Sequence, residues 1–285
     1  MAIMQSTYNR ENPLRCFFAF EGYNSQGLAL NRLKRDFPDF DWVCVGRSEI
    51  DKYAIAAADA LFPEAKDKNF GSITDINWDE IPDFDLFTYS FPCQDISNAG
   101  KQKGFIEGSG SRSSLLWECR RAIEAKRPRF LLMENVKALV QKKFMPEFQR
   151  WIDTLADLGY ASFWQALNAK NFGTPQNRER VFMVSILGDA TFELPKPFPL
   201  EKRLRDVLED NVDESYYLRD EQVQRILAHC ERKQADESGW VIAVGKLSSS
   251  QDSLVVSPDG ISPCHVCGHS NMPKIIEVNE NDNPD

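Results

Sequence analysis

The chain has 285 residues, 42% hydrophobic and 27% charged, enough for one large folded domain or a domain with an appendage. A formal net charge of −9 argues against a protein that coats nucleic acid through charge alone, although a local basic cleft stays open. The longest apolar runs fall far short of the ~20 residues of a membrane span. No basic-then-apolar leader opens the sequence, and seven scattered cysteines do not make a disulfide framework, so a reducing cytoplasm is the expected setting.

In chain order, CFFAF (16–20) predicts a strand and SQGLALNRLKRDF (25–37) a helix with apolar residues at 28, 30 and 33. WVCVGRSEI (42–50) predicts a second strand and KYAIAAADALF (52–62) a second helix. DLFTYSF (85–91), RFLLMENV (129–136) and RVFMVSIL (180–187) are further strands, with LLWECRRAIEAKR (115–127) and MPEFQRWIDTLADLGY (145–160) as helices. This alternation implies an α/β fold, a doubly wound and mostly parallel sheet with ligands at the carboxyl ends of its strands. Past Pro195 the Pro-rich PKPFPLEK reads as a connector. LRDVLEDNVDESYYL (204–218) and RDEQVQRILAHCERK (219–233) are then expected to be helical. A boundary near 195 divides a first domain, 1–195, from a partial second one, 196–285.

Several stretches carry candidate chemistry. SFPCQ places Cys93 directly after a strand, on a polar, Gly-bearing loop, which is an unusual position for a packing thiol. In FAFEGYNSQGLAL, Gly22 stands between a strand and a helix, where backbone can approach a ligand; an ordinary strand–helix turn is the alternative. Glu49 ends the second strand, where an acid can grip ribose hydroxyls or simply be solvated. Glu134 and Asn135 end the apolar RFLLM run, as an acid placed to donate a proton or as a capping pair for the next helix. Gln176, Arg178 and Arg180 alternate before a strand, so period two would put all three on one face.

SFPCQDISNAGKQKGF, MENV and TPQNRERVF, in this order and spacing, resemble the DNA (cytosine-5) methyltransferase family, and FAFEGYNSQGLAL with SEID resembles its S-adenosylmethionine pocket. The resemblance covers residues 14–187. It implies methyl transfer from S-adenosyl-L-methionine to carbon 5 of a flipped-out cytosine in DNA, in a restriction–modification setting. Cys93 would attack carbon 6, Glu134 would hold and protonate the ring nitrogen, and Arg180 would contact the ring carbonyl, with Gln176 and Arg178 supporting the loop. The loop from Asp95 to Ser114, with Gly100, Gly104, Gly108 and Gly110, would be a lid. For the cofactor, the resemblance assigns Phe20, Gly22, Tyr23 and Asn24 to the methionine side, Glu49 to the ribose and Ile50 to the adenine. Ser72 and Ile73 stand in the turn that holds the adenine amino group, with Asp75 as the alternative to Ser72, and Pro92 and Leu115 would line the remainder.

The chain departs from the family in carrying Asn24 and Ser25 where glycines are usual; Asn tolerates a left-handed backbone better than most residues. Residues 196–275 resemble the beginning of a target-recognition region, and neither an Arg-rich supporting helix nor a closing segment is visible after it. A split or truncated member is therefore expected, with DNA and a possible second subunit as partners. A cytosine methyltransferase acting on RNA, or a non-catalytic remnant binding DNA or a partner, are the other readings. In CHVCGH, Cys264, His265, Cys267 and His269 include a C-x-x-C half-site, but no second pair lies nearby and no metal is expected.

Overall fold

The computed structural model describes residues 7–93, 95–96, 112–229, 241–246, 254–265 and 273–276. Its elements fall into two compact units: residues 1–166 with 180–194, and residues 167–179 with 195–285.

The first unit is built on a six-stranded sheet of β1 (Leu14–Ala19), β2 (Trp42–Ser48), β3 (Leu86–Tyr89), β4 (Phe130–Val136), β5 (Tyr160–Asn168) and β7 (Glu179–Leu187), in the order β2-β1-β3-β4-β7-β5. β1 runs parallel to β2 and β3, and β3 runs parallel to β4. The chain moves outward from β1 to β2, then crosses back to β3 on the other side, so β1 and β3 flank the point where strand order reverses. β7 is antiparallel to β4. Only ten residues separate β5 from β7, without an α-helix between them, too few for the crossover a parallel return needs.

Because β1 is central, it is apolar on both faces. Leu14, Cys16 and Phe18 pack with Leu30, Cys44 and Phe62 on one side, while Phe17 and Ala19 join the larger cluster on the other. That cluster is aromatic: Phe17 lies 5.1 Å from Trp78 and 5.3 Å from Phe84, centroid to centroid. Helices α1 (Ser25–Asp36), α2 (Lys52–Leu61), α3 (Leu116–Lys126) and α4 (Met145–Asp157) occupy the intervals expected of them. The apolar stripe of α4 is formed by Phe148, Trp151 and Leu155.

Strand β5 has no counterpart among the sequence expectations. In the second unit β6 (Gln176–Asn177) pairs with β10 (Ser262–Pro263), and β8 (Ala243–Lys246), β9 (Leu254–Val256) and β11 (Lys274–Ile275) form a three-stranded sheet. Leu200, Leu204, Val241, Val256 and Ile261 make its small core. Helix α5 (Asp220–His229) lies where expected, but residues 204–218 are not a helix. They hold two short 3-10 turns, and the Asp213 carboxylate accepts the Ser215 N–H at 2.8 Å. Asp, Asn and Ser compete for backbone groups in this way, which overrides the helical spacing.

Candidate active site

Four parallel strands put their carboxyl ends on one edge of the sheet, and the candidate residues leave from those ends. After β1, Phe20, Gly22 and Asn24 have positive φ values of 54, 59 and 62°. A Cβ built on Gly22 would meet nothing within 4 Å, so its requirement is conformational and the space above it is open. Asn24 carries the left-handed conformation itself and caps α1, its Oδ1 accepting the Gly27 N–H at 2.8 Å while the residue is buried. One residue thus supplies both the left-handed backbone and the cap at this turn. Tyr23, between these residues, is 54% exposed.

After β2, the Glu49 carboxylate accepts the Gly22 N–H at 2.9 Å with one oxygen, and the Ile50 and Asp51 N–H groups at 2.8 and 2.9 Å with the other. One acid therefore ties the β1 turn to the start of α2, and it stands beside the open Gly22 backbone. Ile50 is 74% exposed, an apolar side chain presented to whatever lies over this edge. Ser72 caps the 3-10 turn Ile73–Asp75 and lies 2.7 Å from the Thr74 hydroxyl, which donates to Asp75 at 3.0 Å. Ser72 and Asp75 thus belong to one hydrogen-bonded chain, while Ile73 is buried in the aromatic core and anchors the turn.

Two charged residues under this loop escaped sequence reasoning. Glu21 and Arg47 are buried, with Arg47 Nη1 on Glu21 Oε1 at 2.7 Å. Burial pushes the Glu21 carboxyl up to about 7, against the opposing pull of Arg47. The signal was an acid between Phe20 and Gly22 and a cation inside the apolar run WVCVGRS, two charges where patterning calls for none.

After β3, half-buried Cys93 sits on a turn whose backbone is held at several points. The Asn135 side chain donates to the Phe91 carbonyl at 3.0 Å, and the Ser113 hydroxyl to the Pro92 carbonyl at 2.5 Å. The Ile96 N–H donates to the Cys93 carbonyl at 3.1 Å. Leu115 is half-buried and packs against the same aromatic cluster as Cys93. The expected lid lies outside the described residues from 97 to 111, and Gln94 does too.

At the end of β4 the strand alternation sends neighbouring residues to opposite faces. Asn135 is buried and reaches the Cys93 turn, while Glu134 is half-buried on the other face. Neither caps the following 3-10 turn, whose cap position is Val136. Glu134 pairs with Arg180 of β7, Oε1 to Nε 3.1 Å. The register explains the pair, since Val136 faces Arg180 and Glu134 faces Phe182, making Arg180 a diagonal neighbour on the same face.

Gln176, Arg178 and Arg180 do not form one row. Hydrogen bonds from Gln176 N to Thr174 O (2.7 Å) and from Arg178 N to Gln176 O (3.1 Å) fold the backbone at each step, so simple alternation fails. Within the second unit the Gln176 amide lies 3.5 Å from the Pro263 carbonyl, and Arg178 Nη1 lies 3.6 Å from Cys264 Sγ. Arg180 instead meets Glu134 in the first unit. Of the CHVCGH ligand candidates, Cys267 and His269 lie outside the described residues. Among those described, no group of three His, Cys, Asp or Glu residues gathers as a metal site, and no helix is long and apolar enough to cross a membrane.

The architecture is that of an α/β methyltransferase. The chain superposes on the S. pombe Dnmt2 methyltransferase with a TM-score of 0.64 at 20% identity, over 95% of this chain and 78% of that one. It superposes on the Entamoeba histolytica methyltransferase EhMeth with a TM-score of 0.68 at 16% identity, with the same coverage. Residues 18–282 match the model of the C-5 cytosine-specific DNA methylase family, and the chain belongs to that family. It is 53% identical over 157 residues to the type II methyltransferase M2.ScrFI of Lactococcus lactis subsp. cremoris, covering 55% of this chain and 44% of that protein. To the type II methyltransferase M.HaeII of Haemophilus aegyptius it is 36% identical over 231 residues, 80% of this chain and 71% of that protein. The match spans less than half the length of M2.ScrFI and of the orphan methyltransferase M.SssI of Spiroplasma monobiae.

Proposed function

We propose that this chain methylates carbon 5 of cytosine in DNA, with Cys93 as nucleophile and Glu134 and Arg180 as the groups that read and activate the base. The observation that carries the reading is the Glu134–Arg180 pair at 3.1 Å on the strand end next to the Cys93 turn. A guanidinium beside a carboxyl matches the edge of cytosine, where the ring carbonyl accepts and the neighbouring N3 and amino group lie alongside. Carbon 5 is inert until a nucleophile adds at carbon 6, and a thiolate suits that addition. Proton delivery to N3 by Glu134 offsets the negative charge that the thiolate brings, and Arg180 holds the carbonyl oxygen. With the methyl group on carbon 5, N3 returns its proton to Glu134, and loss of the carbon-5 proton with expulsion of the Cys93 thiolate restores the ring double bond. Such a base must leave the duplex to reach these groups.

S-adenosylmethionine fits the β1–β2 end and would supply the methyl group there. The open backbone at Gly22, the Glu49 carboxylate beside it and the exposed Tyr23 and Ile50 suit its methionine, ribose and adenine parts. Pro92 and Leu115 would line the rest of the pocket, and Ser72 or Asp75 would hold the amino group of the purine. Asn135 holds the turn on which Cys93 acts.

Duplex DNA carrying 5-fluorocytosine, incubated with the chain and S-adenosylmethionine, should give a covalent adduct, because fluorine cannot leave as a proton. Cys93→Ser should abolish the band, while Cys119→Ser, at a fully buried thiol, should keep it. An adduct that persists in Cys93→Ser, or label that enters tRNA and not DNA, would overturn the reading.

A further inference from the structure

The turn from Phe20 to Asn24 holds three left-handed residues in five positions, one of them a phenylalanine, and such a backbone persists only where its surroundings over-determine it. Three hydrogen bonds fix its outer side: Phe20 N–H to the Ser48 carbonyl at 2.8 Å, Gly22 N–H to Glu49, and Asn24 N–H to the Glu21 carbonyl at 2.9 Å. Its inner side is fixed by the Glu21 side chain alone among the residues of the turn that point inward with a charge. Glu21 Oε1 meets Arg47 Nη1 at 2.7 Å, and its other oxygen is buried without a hydrogen-bond partner. Arg47 is itself immobilised. Its Nε donates to the Ala65 carbonyl at 3.0 Å, and its Nη2 donates to the Lys66 carbonyl at 2.9 Å and pairs with Asp59 of α2. A rigid cation is thus planted under the turn, and Glu21 is the handle by which the turn is attached to it.

We propose that Glu21 is a positioning residue for the cofactor: its ionised carboxylate, held by Arg47, keeps the 20–24 turn in the conformation on which the cofactor rests. The inference builds on the cofactor reading above and assigns this task to a residue that would touch no part of the ligand. Among the described residues, the charged and titratable groups around Glu21 are Arg47, Glu49 and Cys44 on or just after β2 and Asp59 on α2. Burial raises the Glu21 carboxyl to about 7, so the handle loosens by protonation near neutral pH. Its effect on the fold has the opposite sign. A carboxyl whose folded value lies above its ordinary 4.5 contributes stability that is fully present below 4.5 and is lost as pH rises through about 7. Lowering the pH from 8 to 6 therefore favours the fold at this group while weakening the cofactor seat. A residue that served stability alone would move both quantities together.

The test is calorimetric titration of the whole chain with S-adenosylhomocysteine at pH 8, 7 and 6, beside thermal melts at the same pH values. As the competent, ionised fraction falls, the apparent Kd of the unaltered chain should rise ~tenfold from pH 8 to pH 6. Its melting midpoint should not fall for lack of Glu21. E21Q, which mimics the protonated form without changing shape, should bind weakly at all three pH values with a flat profile. D59N, which removes the other carboxylate that Arg47 meets, should keep the slope. A flat profile in the unaltered chain, a slope that survives in E21Q, or a slope lost equally in D59N would overturn the inference. Absence of binding by the unaltered chain at pH 8 would overturn the cofactor reading and this inference with it, whereas binding without the Glu21-dependent slope overturns the inference alone.

Discussion

Asn24 performs two tasks at one position, and substitutions separate them. Its φ and ψ of 62 and 57° require a residue tolerant of the left-handed region, and its side chain satisfies an amide at the start of α1. Asn24→Gly keeps the first and loses the second, and should cost a few tenths of a kcal/mol to about 1 kcal/mol. Asn24→Ala loses both and should cost about 2–3 kcal/mol, from the lost cap and the left-handed penalty together. Urea unfolding of the two variants checks this, and equal stabilities would show that the backbone conformation carries no cost here. Asn135 presents a second case. Its amide joins β4 to the turn of Cys93, and both groups are buried. Asn135→Ala leaves the Phe91 carbonyl unpaired, so a loss of ~1–3 kcal/mol is expected. Adduct formation on fluorocytosine DNA should slow in this variant while S-adenosylhomocysteine affinity stays within about twofold. Loss of cofactor affinity without slower adduct formation would place Asn135 in the cofactor pocket instead. Residue chemistry of this kind was partly legible. The tolerance of Asn24 could be read from its type, whereas the partner of Asn135 depends on which strand lies beside β4.

At the scale of elements, the helices and central strands were legible because both of their periods are strong. Strand β5 was not. YASFWQALN has only Tyr160 fully buried and contains Ala, Gln and Leu, which suit a helix, and it lies at the edge of the sheet, where one-sided contact erases alternation. The segment 204–218 misled in the opposite direction, its apolar spacing being overruled by Asp213 and its neighbours. Helix α4 shows the favourable case. Phe148, Trp151 and Leu155 form a buried stripe, Trp151 meets Trp117 edge-on at 5.5 Å, and its Nε1 donates to the Tyr89 hydroxyl at 3.2 Å. Trp151→Ala should cost about 3–5 kcal/mol through the cavity it opens. Trp151→Phe keeps much of the packing and leaves the Tyr89 hydroxyl without its indole partner, so ~1–3 kcal/mol is expected. Chemical denaturation followed by far-ultraviolet circular dichroism measures both, and an alanine variant no weaker than the phenylalanine one would mean that α4 is not docked by this stripe.

At the scale of the whole molecule, the buried acids that titrate at high pH among the described residues lie in the first unit. Burial pushes the Cys44 thiol up to about 11 and the Tyr160 hydroxyl up to about 12, from ordinary values of 9 and 10. Cys16, Cys119 and Tyr89 are raised by burial as well. In each case the folded chain holds its proton more tightly than the unfolded one. The resulting stability is complete below pH ~9 and is lost as pH rises through the folded values. Among the described residues of the second unit the shifted group is of another kind, Asp213 on the surface, held low by its hydrogen bonds from Ser215. Five of the six tryptophans, at 42, 78, 117, 151 and 164, lie in the first unit, so tryptophan emission reports mainly on it. The midpoint of thermal unfolding followed by that emission should therefore fall steeply between pH 8.5 and 11. Cys44→Ala should soften the fall, because it removes one of the protons that unfolding releases, even though the small cavity lowers the midpoint at pH 8.5. A midpoint that stays level over this range, or a Cys44→Ala profile parallel to the unaltered one, would show that these groups become accessible to water before the unit unfolds.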